Sequence, residues 1–174
     1  MSNDLRFLKL ALDCANECVP TPTAFCVGCV IIVPHPTSDE PVVLETGYSR
    51  ELPGNTHAEA NALTKARNLT TQKISELLGE PSPPPIEKLL EKSAVYTTME
   101  PCSVRLSGLA PCADALIEAR IRRCIIGVGE PSDFVKCEGA SKLHAAGIEV
   151  VWVAGLEREC LEVARRGHPR VETV

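Results

Sequence analysis

Apolar and polar positions in this chain follow two periods, and the change from one to the other marks out the elements. Between residues 4 and 18, Leu5, Leu8, Leu12 and Ala15 fall at near-helical spacing, which predicts an amphipathic helix. Pro20 and Pro22 then break the chain. Residues 25–33, FCVGCVIIV, form a continuous β-rich run, the pattern of a strand covered on both faces. A turn-rich connector over 34–41 leads to a second strand over 42–48, and the two read as a hairpin with a long loop. Residues 57–68, HAEANALTKARN, predict a helix entered from the Gly54-Asn55-Thr56 turn.

The stretch over 70–93 contains LLGEPSPPPIEKLL, whose proline cluster excludes regular structure, and it reads as a surface insertion. Beyond it come a strand (94–99), a helix (111–119), a strand (123–128), a helix (138–146), a strand (148–153) and a last helix (156–166). Strands alternating with helices predict an α/β protein whose sheet is covered by helices on both faces. The whole chain, 1–174, is expected to be one domain.

Composition narrows the function classes. Aromatic residues make up only 3 % of the 174, too few for stacking platforms that hold single-stranded bases. The formal net charge of -5 argues against a polyanionic partner, so no nucleic acid is expected. No apolar run approaches a membrane span, and the acidic start MSNDLRFLKLALDC does not read as a signal peptide. A cytoplasmic protein, or a cytoplasmic and nuclear one, is the expectation. The nine cysteines are odd in number and scattered, and they read as reduced thiols. Cys26 and Cys29 lie in a strand run, and Cys14 and Cys18 on a helix. Packing is the expected role of all four. His35 and His168 sit in proline-flanked loops and are expected in solvent.

Chemistry concentrates in two places: His57-Ala58-Glu59, and Pro101-Cys102 followed by Pro111-Cys112. One imidazole and two thiolates make three zinc ligands, leaving one tetrahedral position for water, whose pKa such a metal lowers to about 7. A carboxylate next to that water can move its proton, and Glu59 is the candidate. Cys112 is expected at a helix start and Cys102 just past a strand end. A structural zinc site would need a fourth protein ligand, for which Cys137 or His144 could be proposed.

His-x-Glu followed by Pro-Cys-x-x-Cys is the signature of zinc-dependent base deaminases. The first half matches, whereas SVRLSGLAP separates Cys102 from Cys112 where the signature has two residues. A long inter-cysteine loop is similar to that of the pyrimidine deaminases of riboflavin biosynthesis. The stretch TTMEPCSVRLSGLAPCADALIEA closely resembles that family, above all its fungal members. So do GYSRELPGNTHAEANAL before it and GEPSDFVKCEGASKLHAAGIEV after it.

The resemblance covers the chain from about residue 25 onward, apart from the proline-rich stretch. It implies a three-layer α/β/α cytidine-deaminase-like fold with a mixed central sheet of about five strands. It also implies a zinc cofactor, a homodimer, and hydrolytic removal of the 2-amino group from a phosphorylated diaminopyrimidinone. The loop between the cysteines, with Ser103, Arg105 and Ser107, is the expected contact for sugar and phosphate, Arg105 being the natural fork. Bacterial relatives place Asp-Pro-Asn near the substrate, where this chain has Glu130-Pro131-Ser132. An asparagine that reads the ring in many deaminases falls at Ala24 here, and Asn55 is the candidate to replace it. Two rival readings remain open. One is a zinc deaminase of another base or nucleotide, such as cytosine, dCMP, guanine or tRNA adenosine. The other is a non-catalytic zinc-binding module.

Overall fold

A computed structural model describes residues 3–105, 108–131 and 137–169. The element order is α1 (Asn3–Asn16), β1 (Gly28–Val33), β2 (Val42–Tyr48), α2 (Ala58–Arg67), α3 (Thr71–Leu78), α4 (Ile86–Leu90), β3 (Ala94–Met99), α5 (Cys112–Glu118), β4 (Arg123–Val128), α6 (Gly139–Ala145), β5 (Glu149–Trp152) and α7 (Glu157–Ala164). One five-stranded sheet runs in the order β2-β1-β3-β4-β5. β1 is antiparallel to both β2 and β3, while β3, β4 and β5 are mutually parallel. The sheet is mixed and lies between two helical layers, as the resemblance implies.

The period-two rule explains the layers. Along β1, Cys29, Ile31 and Val33 turn to one face, where they join Ala62 and Leu63 of α2, Leu116 of α5 and Leu143 of α6. Val30 and Ile32 turn to the other face, against Phe7, Leu8 and Ala11 of α1. With both faces covered, all six residues of β1 are buried, which is why its sequence is apolar throughout.

Two helices occupy the stretch read as an irregular insertion. α3 is capped by Thr70, whose hydroxyl accepts from the Lys73 N–H, and it ends at Gly79 in the left-handed region (φ 64). Ile74 and Leu78 of α3 and Leu89 and Leu90 of α4 are buried in the same core as α2. The proline-containing link between them lacks regular structure, as does the short turn from α4 to β3. At the other end of the chain's first helix, α1 stops at Asn16, so Cys18 lies beyond it and is not one helical turn above Cys14.

Topology brings one end of the sheet together. β2 runs out where β1 begins, because the two are antiparallel, and β3 runs out there for the same reason. β4, parallel to β3, ends beside it. Residues 23–27, 49–57, 99–105 and 129–130 therefore meet at one edge, although the chain separates them widely. Two glycines allow close approaches there. A Cβ on Gly47 would lie 2.3 Å from the Ala58 carbonyl, so only glycine lets the start of α2 rest on β2. A Cβ on Gly139 would lie 1.7 Å from the Pro101 carbonyl, where α6 presses on the turn preceding Cys102.

Candidate active site

His57 is the residue capping the start of α2, with extended backbone (φ -95, ψ 158). Its side chain is therefore released from helical periodicity, and it can converge with Glu59 of the first turn although residues two apart on a helix diverge. The imidazole Nδ1 lies 3.5 Å from Cys102 Sγ and 3.4 Å from Cys112 Sγ. Cys102 follows β3 by three residues, and Cys112 is the first residue of α5. The Cys112 backbone N–H donates to Cys102 Sγ at 3.3 Å, and the Ala113 N–H donates to the Cys102 carbonyl. The nine intervening residues thus return the chain to its starting point.

The donor atoms of His57, Cys102 and Cys112 all lie within 4.8 Å of one another. The two thiols are hydrogen-bonded to each other, which moves them in opposite directions. A hydrogen bond from Cys112 is the main cause that lowers the Cys102 thiol to about 4, with His57 adding to it. The Cys112 thiol is raised well above its ordinary value, first by that same bond and then by burial. Metal ligation requires thiolates, so a divalent cation held here would favour loss of the thiol protons. Two sulfurs and an imidazole suit Zn²⁺, and three protein ligands leave a fourth tetrahedral position open. Among the described residues, neither Cys137 nor His144 joins this group. Cys137 Sγ instead donates to the Pro101 carbonyl.

Glu59 is 3 % exposed. Burial is the leading cause that raises its carboxyl, with Cys102 second and His57 opposing. The single proton of the Thr97 hydroxyl on β3 is shared between the Met99 carbonyl at 2.9 Å and Glu59 Oε1 at 3.3 Å. One carboxyl oxygen is thereby anchored to the sheet.

A cleft of about 220 Å³ opens over these groups. His57, Glu59 and Cys102 form its base, and Asn55, Arg105 and Glu130 line it with Thr23, Ala24, Phe25, Ser49, Arg50 and Glu100. Arg105 donates to the Asn55 carbonyl, joining the two loops that carry the metal-binding side chains. Glu130 is half-buried, and burial raises its carboxyl. Of the other expected contacts, Ser103 does not line the cleft. Its hydroxyl accepts from the Glu138 N–H at the start of α6, which a serine beside a helix end does readily. Ser107 and Ser132 lie outside the described residues. Ala24 lines the cleft, so no asparagine side chain enters there. The sequence reading gave no role to Ser49, Arg50 and Thr97, although all three fall within the stretches that carry the family resemblance. His168, expected in solvent, stacks on Phe25 with ring centroids 4.9 Å apart.

Residues 1–128 match the model of the cytidine and deoxycytidylate deaminase zinc-binding region. The chain is 40 % identical over 167 residues to the diaminohydroxyphosphoribosylamino-pyrimidine deaminase of Schizosaccharomyces pombe, covering 96 % of this chain and 36 % of that protein. It is 31 % identical over 145 residues to the chloroplastic riboflavin biosynthesis protein PYRD of Zea mays, covering 83 % of this chain and 29 % of that one. It spans about a third of the length of the curated relatives it matches. Among solved structures, the Aspergillus oryzae Rib2 deaminase in complex with DARIPP superposes with a TM-score of 0.74 at 34 % identity, covering 96 % of this chain and 92 % of that chain. With the match spanning most of the chain and the three zinc-suited donors meeting at its cleft, this protein belongs to the cytidine and deoxycytidylate deaminase zinc-binding family.

Proposed function

We propose that this chain is a zinc-dependent hydrolytic deaminase of riboflavin biosynthesis. Its substrate in this reading is 2,5-diamino-6-(5-phosphoribitylamino)pyrimidin-4(3H)-one or the ribosyl form, which loses its 2-amino group. The observation that carries the reading is a three-ligand metal site with a buried carboxylate, Glu59, beside it at the base of an open cleft. Similarity to the Schizosaccharomyces pombe deaminase and to the structure holding DARIPP supports the substrate. Trp152, 52 % exposed on the edge strand β5, supports the expected pairing of two copies.

Water and the amine exchange in this reaction: N=C–NH₂ plus H₂O gives HN–C=O plus NH₃. Zinc, when bound, supplies the Lewis acidity that makes water nucleophilic at neutral pH. Glu59 takes the proton of the attacking water, passes it to the adjacent ring nitrogen, and moves the next proton to the departing amine. Its buried setting keeps bulk water from competing for that proton. Arg105 at the cleft supplies a guanidinium fork for the phosphate.

Two results test this. Purified zinc protein given the ribityl and ribosyl diaminopyrimidinone phosphates, cytosine, cytidine, dCMP and guanine is expected to release ammonia from a diaminopyrimidinone only. Turnover of cytosine or dCMP alone would keep the chemistry and replace the substrate. Thr97→Val, nearly isosteric in the core, is expected to lower kcat about tenfold at unchanged KM and zinc content, because Glu59 loses its anchor. Thr97→Ser should restore the rate. A Val variant with the wild-type kcat would assign Thr97 to packing alone.

A further inference from the structure

The cleft has a wall whose placement the metal site does not explain. Residues 19–26 belong to the 17–27 link between α1 and β1, and Thr23, Ala24 and Phe25 of this segment line the cleft. Its far end is held by its own burial, since Phe25 and Cys26 are buried and the Cys26 N–H donates to the Ala164 carbonyl, but at its near end Pro20 and Pro22 have no N–H to give and Val19 is 73 % exposed, so that half has little of its own to hold it. Side chains from elsewhere do so. Just ahead of the wall, Nη2 of Arg166, after α7, shares its two protons among the carbonyls of Ala15 (3.1 Å), Asn16 (3.0 Å) and Cys18 (2.9 Å), fixing the end of α1. Arg50, after β2, donates to the carbonyls of Phe25 (3.1 Å) and Val19 (2.8 Å) and to Cys26 Sγ (3.5 Å). The Arg50 fork thus ties the two ends of the wall to each other.

Arg50 adopts this position at a cost. Its backbone is left-handed (φ 64), a region that a non-glycine residue avoids, and its buried Nε has no hydrogen-bond partner among the described residues. Its own N–H donates to the Thr56 carbonyl at 2.7 Å, next to His57. One residue therefore couples the wall to the loop that presents the metal-binding imidazole. Local strain and an unpaired buried donor persist where the surroundings over-determine them, and they cluster at functional sites.

We infer that Arg50 is the positioning residue of the substrate pocket, holding the Thr23–Phe25 wall against the aminopyrimidine ring. The inference rests on the proposed function for the identity of that ring. It answers the question that Ala24 raises. With no polar side chain at that position, the pocket confines the ring by the shape of a rigid wall, and the guanidinium fork supplies the rigidity. Lysine keeps the charge but has no fork, so it cannot tie Val19 and Phe25 together.

The experiment uses the zinc-loaded chain, with Arg50→Lys and Arg50→Gln compared with wild type. Amide hydrogen exchange is expected to quicken at least about tenfold at the residues of 18–26 that carry an N–H, with exchange in β3 and α5 unchanged. KM for the diaminopyrimidinone phosphate is expected to rise about tenfold, with kcat within about threefold and one zinc retained per chain. Unchanged exchange over 18–26 would overturn the inference, as would quickened exchange with an unchanged KM. A parallel loss of zinc and kcat would also overturn it, making Arg50 a general brace of the fold. A wild-type chain inactive on every aminopyrimidine tested would sink the proposed function instead, and the exchange result would then decide the clamp by itself.

Discussion

Glu59→Gln is expected to keep its zinc and lose at least about 10³-fold in turnover, within the range that removal of a well-placed general acid–base catalyst produces. At about 1.4 kcal/mol per tenfold, that is roughly 4 kcal/mol of barrier. The separation of the two effects follows from the geometry. Glu59 is not among the three donors that converge on the metal, so a carboxamide leaves the ligand set whole. It is nearly isosteric, and it removes a carboxylate that burial already disfavours, so the melting temperature should not fall. The Thr97 hydroxyl can still donate to the amide oxygen, keeping the side chain in place. What is lost is a group able to accept a proton from water and return it. Metal analysis together with single-turnover ammonia release checks this. Activity above about a tenth of wild type would move the proton transfer to another carboxyl, of which Glu130 is the candidate within the cleft.

How much of this could be read beforehand depends on the length scale of the signal. The β2, β3 and β4 boundaries match the expected 42–48, 94–99 and 123–128, because β-branched runs bounded by polar turns are local signals. The two metal-binding motifs were legible for the same reason: each is a short string whose chemistry is carried by residue type. α3 and α4 were hidden by the proline cluster between them, which coloured the reading of its flanks. Yet Ile74, Leu77 and Leu78 already stand at helical spacing behind a Thr70 cap.

The cleft wall belongs to a different class. Arg50 reaches Phe25 only because β1 and β2 are antiparallel neighbours, and Thr97 reaches Glu59 only because β3 lies next to β1 under α2. Such contacts join residues 25 to 38 positions apart and leave no local periodicity. Ser103 shows the same limit: its place beside a ligand in the sequence suggested a substrate contact, and only the fold shows that its hydroxyl accepts from the Glu138 N–H at the start of α6.

Cys112→Ser carries the other large effect: zinc content should fall from about one per chain to below about a tenth, and turnover should vanish with it. A serine hydroxyl stays protonated at neutral pH and offers no soft thiolate, so two protein donors remain where three converge. The backbone N–H of residue 112, which donates to Cys102 Sγ, is kept, so the loss is one of ligation and not of the loop's return. Stability separates these two. A site saturated to about 1,000 times its dissociation constant adds about 4 kcal/mol to the folded state. For a domain of this size that is roughly 10 °C of melting temperature. Wild type should lose this margin when a chelator is added, and Cys112→Ser should melt at the chelated wild-type temperature with or without chelator. Cys124→Ser is the control, since that thiol is fully buried on β4 and, among the described residues, belongs to no donor group. Its hydroxyl, placed in an apolar core, should lower the melting temperature yet leave zinc content and chelator sensitivity intact. Full zinc in Cys112→Ser would remove Cys112 from the ligand set and require a donor other than the three that meet here.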